Sequence, residues 1–348
     1  MNYIYEKAKQ YSKRLKFAIN CFKRADSSRF VQQVENIGKE GNLVYLENYG
    51  KQQNNRNLFH VKMEYSGSGF FADYNHMIGL LYFADQYGLS PVVEYHKEFC
   101  YAEKHPVNGT SNPFEYYFKQ PTEITLEELY QCNGVIRSRK ENGRDAFLLK
   151  EKGNSYNITD VYIREMGAVV RKYLRLQPEV EKMIINSKEQ LFSKEEKVLG
   201  IHFRGTDFKR NYNGHPVNLT VEDYIKEIDE LLKQDYDKIF VATDDIEALE
   251  KFRNCYGEKV VYYNDVTRSS ENETVMKSIS IRENHHYLLG VEVLRDMMTL
   301  AECDGLVAGL SQVSIAARIQ KESYKKQYQD LMIINKGLNF HRKEDCKA

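Results

Sequence analysis

Val198-Leu199-Gly200-Ile201-His202-Phe203-Arg204-Gly205-Thr206-Asp207 is the stretch that decides the fold. Its first six residues are apolar apart from one histidine and follow the charged run 194–197, so they read as a strand buried on both faces of a parallel sheet. Ligands of such sheets bind in the crevice at the carboxyl ends of the strands, where His202 and Arg204 stand. The planar fork of an arginine suits a diphosphate, because it gives two parallel hydrogen bonds and keeps its charge. Gly205 lets the backbone turn close to a ligand. On residue chemistry alone a second reading stays open, in which Arg204 pairs with Asp207 as a structural clasp.

Working outward, residues 238–242 form a second strand that ends in Thr243-Asp244-Asp245, and residues 305–308 a third that ends in Gly309-Leu310-Ser311-Gln312. Helical periodicity spans 221–232 and 246–252 between them, and alternating strand and helix predicts a doubly wound parallel sheet. Ser311 and Ser314 open a further helix through Ala316, Ala317 and Ile319, whose N-terminal amides favour an anion. Upstream, residues 58–100 read as strand, glycine turn, helix and strand, and 160–191 as largely helical. Residues 38–57 are polar and punctuated by glycine and asparagine, which predicts a linker or exposed loop. The polar tail 336–348 is expected to fray. These boundaries divide the chain into a helical segment and linker (1–57), a first α/β domain (58–193) and a second, ligand-binding α/β domain (194–348).

The set His202-Phe203-Arg204-Gly205-Thr206-Asp207, Ala242-Thr243-Asp244-Asp245, Asp296 with Leu300-Ala301-Glu302-Cys303-Asp304, and Ser311-Gln312-Val313 resembles, in order and spacing, the motifs of the GDP-fucose-dependent fucosyltransferases of the α1,6, nodulation and protein O-fucosyltransferase type. The resemblance covers about residues 198–320. It implies two Rossmann-like domains facing across a cleft, a GT-B-like α/β glycosyltransferase, with GDP-fucose as donor, inversion at the anomeric carbon and no metal. It places Arg204 on the β-phosphate, His202, Ser311 and Gln312 on the nucleotide, Asp296 on the guanosine, and Thr243, Asp244 and Asp245 around the pocket. His286 is read with His285 as a loop pair near the nucleotide. The α1,6 enzymes carry a second arginine where this chain has Gly205, and a glutamate base in the region that here reads Phe208 to Gly214 without a carboxylate. The base is therefore open among Asp73, Glu94, Asp207 and His215, while Arg204 and Lys209 suit the leaving diphosphate. Asp73 has the competing reading of an ordinary helix-start aspartate.

Composition narrows the rest. Fifty basic against fifty acidic residues give no overall field for nucleic acid. Six scattered cysteines suit a reducing cytosol, and no apolar run reaches the roughly 20 residues of a membrane helix, so the chain is expected to be cytoplasmic; because vertebrate members of the family it resembles are anchored or retained in the secretory pathway, the resemblance implies the bacterial branch. Within the first 24 residues Ile4, Ala8, Tyr11, Leu15, Ala18 and Phe22 share one helical face, with seven basic residues against Glu6 alone. Such a helix either lies on anionic lipid or packs its stripe on the catalytic body. The expected partners are thus a GDP-sugar, a glycan acceptor and, in the first of those cases, the membrane surface. Another GDP-sugar as donor, and a binding protein without turnover, remain as alternatives.

Overall fold

The computed structural model describes residues 44–54, 56–64, 66–138, 156, 158–205, 213–269 and 275–340, together with Tyr11, Ser12, Leu15, Ala18 and Ile19. Two sheets carry the α/β architecture. The first has β1 (Val44–Glu47), β2 (Leu58–Met63), β3 (Ser90–Tyr95) and β4 (Val135–Ser138) in the order β1-β4-β2-β3. Three of these strands run parallel, and β1 joins the edge antiparallel to β4. That strand corrects the reading of 38–57 as linker alone. Val44 and Leu46 are buried and supply the alternation that the surrounding glycines and asparagines mask in the sequence.

The second sheet is parallel throughout and follows the order β7-β6-β5-β8-β9: β5 (Val198–Phe203), β6 (Lys238–Thr243), β7 (Val260–Val261), β8 (Gly305–Gly309) and β9 (Asp330–Ile334). The connections reverse direction between β5 and β8, which makes the carboxyl ends of those two strands the switch point of the sheet. All six residues of β5 are buried, as its uninterrupted apolar run predicts.

Helices pack both faces. Leu199, Ile201 and Phe203 of β5 meet α5 (Val221–Leu231) and α6 (Ile246–Tyr256) in one cluster. The opposite face packs on α7 (His285–Glu302) and α8 (Gln312–Ser323), and that cluster continues across to α1 (Phe70–Gln86) and α3 (Asp160–Tyr173) of the first half. The short helix α2 (Leu126–Gln131) covers the outer face of the first sheet, and α4 (Pro178–Lys188) packs on α7. The two halves are therefore joined through a shared core.

Specific bonds reinforce that joint. Tyr117 stacks on Tyr287 at 5.6 Å and donates its hydroxyl to the Tyr287 carbonyl at 3.1 Å. Gly290 makes this approach possible, since a Cβ there would lie 2.1 Å from the Tyr117 hydroxyl. The tail also departs from expectation. Residues 337–339 pair with 214–217 through Gly214 N–H to Asn339 O and Asn339 N–H to His215 O, each 2.8 Å, so the start of the tail is docked.

Among the described residues no helix is long and apolar enough to cross a membrane. Tyr11 and Leu15 of the amphipathic stripe are helical and 63% exposed, and the remainder of residues 1–24, apart from Ser12, Ala18 and Ile19, lies outside the described residues.

Candidate functional site

A cleft of about 570 Å³ opens at the switch point. One wall is the end of β5 with His202 and Arg204, the end of β6 with Thr243 and Asp244, and the first turn of α8 with Ser311, Gln312 and Val313. The loop Gly67–Ala72 and Tyr101 of the first half close the other side, and α7 contributes Leu289, Glu292, Val293 and Asp296.

Arg204 is aimed rather than free to swing. Its Nη1 donates to Asp244 Oδ2 at 2.5 Å, while Asp244 Oδ1 accepts the Gly205 N–H at 3.0 Å. One carboxylate thus holds both the guanidinium and the turn that follows the strand, and the arginine side chain stays 30% exposed. Asp244, from the neighbouring strand, is a described partner of Arg204. Asp207, the partner of the clasp reading, lies outside the described residues, as does Lys209.

Gly205 also explains its own identity. A Cβ on it would sit 2.4 Å from Asp245 Oδ2, and Asp245 is held in place as the N-cap of α6, accepting from the Glu247 and Ala248 N–H groups at 2.9 and 3.1 Å. No side chain, arginine included, fits at 205 while that cap is formed.

His202 is 6% exposed, and its ring Nδ1 lies 3.2 Å from Ser311 Oγ. Burial, with the nearby Arg204 charge, pushes its pKa down to about 4, so it meets a ligand as a neutral ring. Ser311 is the N-cap of α8 and accepts the Ser314 N–H at 3.0 Å. Its single hydroxyl proton serves either His202 Nδ1 or Ser314 Oγ at 3.1 Å, and the first choice leaves the ring proton of His202 on Nε2 as a donor. The N-terminus of α8 adds its dipole at the same place.

Asp296 lies deep in the cleft at 7% exposure, and its Oδ1 has no hydrogen-bond partner. Burial pushes its pKa up to about 7 against the pull of Arg268 and Arg295. Such an atom is costly unless a ligand completes it.

Other sequence-derived residues fall elsewhere. Asp73 is in the first turn of α1, 5% exposed, and accepts from Ser66 Oγ at 2.7 Å; residues 67–72 line the cleft but Asp73 does not. Glu94 points to the outer face of the first sheet, 2.9 Å from His60 Nε2 and 3.1 Å from Lys62 Nζ, and accepts from the Tyr130 hydroxyl at 2.7 Å. His285 and His286 are not a loop pair. They form the first turn of α7, with His286 away from the cleft lining and His285 against Ser278 and Arg282. His215 does line the cleft.

Two groups in or behind the cleft wall escaped the sequence reading. Asn75 of α1 donates to the Gln312 carbonyl at 2.9 Å and to Gln312 Oε1 at 3.0 Å, so the first half of the chain orients a side chain at the α8 N-terminus. Glu292, one turn before Asp296, accepts from the Thr267 N–H at 2.9 Å and from Arg282 at 2.5 Å. The helical spacing of Glu292 and Asp296 was a usable signal for one shared face, whereas nothing near Asn75 announces its distant partner.

No curated protein sequence matches the chain. Among solved structures, that of NodZ alpha-1,6-fucosyltransferase soaked with GDP-fucose shares 16% identity over 76% of this chain and 92% of that one, at a TM-score of 0.47. Fucosyltransferase NodZ from Bradyrhizobium shares 15% over 77% and 93%, at 0.45. POFUT1 in complex with GDP-fucose shares 11% over 84% and 100%, at 0.49. The family described as alpha-(1,6)-fucosyltransferase N- and catalytic domains matches residues 160–333. That match spans β5 to β8 and the N-terminus of α8, the elements that build the cleft, and the chain belongs to this fucosyltransferase family.

Proposed function

We propose that the chain transfers fucose from GDP-fucose, with inversion, to a hydroxyl of a glycan, residues 194–348 holding the donor and 58–193 the acceptor. The observation that carries this reading is the convergence of Arg204, the α8 N-terminus and the unpartnered Asp296 Oδ1 on one cleft. A cation and a helix dipole suit a diphosphate, and a buried acceptor suits the N–H edge of guanine.

In the reaction the acceptor oxygen bonds to the anomeric carbon as the bond from that carbon to the β-phosphate oxygen breaks, and the leaving GDP takes the electron pair. Arg204, preorganised by Asp244, stabilises the charge growing on that phosphate. His202 donates through Nε2 without competing as a cation. The acceptor proton goes to a base on the far side of the sugar, and His215, at the cleft wall and fixed by the docked tail, is the described residue that we assign to it. Protein cations take the place of a metal in this scheme. The acceptor is a bacterial cell-surface or secreted glycan, met in the cytoplasm or, through residues 1–24, at the inner face of the membrane.

The test uses the purified chain with a panel of GDP-sugars and glycan acceptors, with and without chelator. Fucose transfer with an inverted anomeric linkage, unaffected by chelator, is the expected result. Tight GDP binding with no transfer or donor hydrolysis on any pairing supports a binding protein instead.

A further inference from the structure

A second cavity, of about 730 Å³, lies in the first half of the chain and shares no lining residue with the cleft. Its size is that of a ligand site. One lip is the turn Asn108-Gly109, whose residues take positive φ (51° and 82°) between Val107 and Thr110, themselves paired by two backbone bonds of 3.0 Å. Asparagine followed by glycine is the chemistry that such a two-residue hairpin turn requires, so this lip is set locally. The other lip is Pro178 and Glu179 in the first turn of α4.

The groups between the lips are held in place. Glu115 accepts from Thr110 Oγ1 at 2.6 Å through one carboxylate oxygen and from Gln120 Nε2 at 2.7 Å through the other. Gln120 is fixed in turn by the Val93 N–H and carbonyl of β3, at 2.9 and 2.8 Å. Gln177 Nε2 donates to the Glu115 and Phe118 carbonyls at 3.0 and 3.1 Å. A carboxylate offers about four lone-pair sites, so Glu115 keeps acceptor capacity for a ligand. Lys119 and Glu179, both exposed, add a cationic donor and a second carboxylate.

This set of groups sorts ligands by chemistry. Two carboxylates against one ammonium repel a phosphate, Pro178 is the apolar side chain of an otherwise polar lining, and no metal-ligating cluster exists among the described residues. Fixed acceptors beside donors, with no apolar wall, match the hydroxyls of a neutral saccharide, each of which both donates and accepts. The cavity is also tied to the cleft. The Gln177 N–H donates to the Tyr117 carbonyl at 2.8 Å, and Tyr117 is the ring that stacks on Tyr287 of α7. Tyr101 at the cleft wall and Asn108 at this lip are seven residues apart, so the chain keeps them within about 25 Å of each other.

We propose that this cavity is a second saccharide subsite, which holds sugars of the acceptor remote from the reacting hydroxyl. The assignment rests on the glycosyltransferase reading of the cleft and makes the acceptor an oligosaccharide. A single sugar fills one of the two sites and a longer chain engages both.

The test compares the full chain with a Lys119→Ala/Glu179→Ala double variant, altered at two exposed positions. Transfer from GDP-fucose is measured on neutral acceptors of one to about six sugar units, and direct binding on a printed array of the same oligosaccharides at saturating GDP. Wild-type acceptor KM should fall by about tenfold once the acceptor is long enough to reach the second cavity. The double variant should raise the KM of long acceptors about five- to tenfold and lose array binding, with kcat, donor KM and the KM of short acceptors unchanged. A KM independent of length, or a variant that keeps the length dependence, overturns the subsite while the transferase stands. Array binding that the variant abolishes, with no transfer to any acceptor, overturns the fucosyl-transfer reading and supports the saccharide site. Neither binding nor transfer with any oligosaccharide overturns both.

Discussion

The two sheets each bury a histidine beside carboxylates and cations, and they use it in opposite ways. On the outer face of the first sheet His60 is fully buried, with Glu94 at 2.9 Å on one nitrogen and the Tyr49 hydroxyl at 2.6 Å on the other. Tyr130 and Lys62 complete Glu94. At the carboxyl end of the second sheet His202 has Ser311 on one side and the cleft on the other, a cleft it lines together with Arg204, Asp244 and Asp296. In the first cluster Glu94 is met by His60, Lys62 and Tyr130, whereas in the second Asp296 Oδ1 has no hydrogen-bond partner among the described residues. Charged groups that satisfy one another hold a fold, and charged groups held apart around space bind a ligand.

The strongest way to break this contrast is Arg204→Ala. Transfer should fall by about a hundred- to a thousandfold, and GDP binding should weaken by about 2–3 kcal/mol, the worth of a charge-assisted bidentate contact. Unchanged GDP affinity by calorimetry would contradict the donor-site assignment.

Asp296 sharpens it through pH. Burial raises its carboxyl to about 7 from an ordinary 3.8; Arg268 and Arg295 oppose the rise, and Glu292 and Asp265 add to it. Guanine N–H groups need the ionised form, so GDP affinity should be full above pH 7 and fall by about tenfold per unit well below it. Folding has the reverse sign, because a carboxyl raised in the folded state costs stability as pH rises from 4 through 7. Asp296→Asn should therefore bind GDP weakly yet melt higher than wild type at pH 8. A lower melting temperature there would sink this account of the open site.

Asn75→Ala tests the link between the halves. Losing the anchor of Gln312 should raise the donor KM several-fold, about 1 kcal/mol, with little change in kcat. An unchanged KM in steady-state assays would make that contact merely structural.

Glu94→Gln is the opposite control, with no expected effect on transfer. Burial alone would raise the Glu94 carboxyl, but hydrogen bonds from His60 and Tyr130 and the His60 and Lys62 charges hold it at about 2. The variant should lose about 1–3 kcal/mol of stability at neutral pH. The difference from wild type should fade between pH 4.5 and pH 2, as the wild-type carboxylate is protonated. A drop in kcat without destabilisation would move Glu94 into the reaction.

The open site was more legible in the sequence than the closed one. The strand ending in His202 and Arg204, the Thr243–Asp245 turn and the cap at Ser311 are local patterns, in which periodicity and residue chemistry agree. Strand β1 was missed because four residues between glycines and asparagines carry too little alternation. Asn75 and Tyr101 could not be read, because Asn75 matters through Gln312 far along the chain and Tyr101 through the cleft that the fold closes beside it. Gly205 was read as a permissive turn; its stricter cause, the Asp245 cap packed against it, appears only in three dimensions. Glu94 was one of four candidate bases, but alternation along β3 sends it to the face away from the cleft.

A crystal structure with GDP tests the central claim most directly. The β-phosphate should lie within hydrogen-bond reach of Arg204 and the α8 N-terminus, with the guanine edge against Asp296. GDP bound outside this cleft, or a cleft that stays empty at millimolar nucleotide, would contradict it.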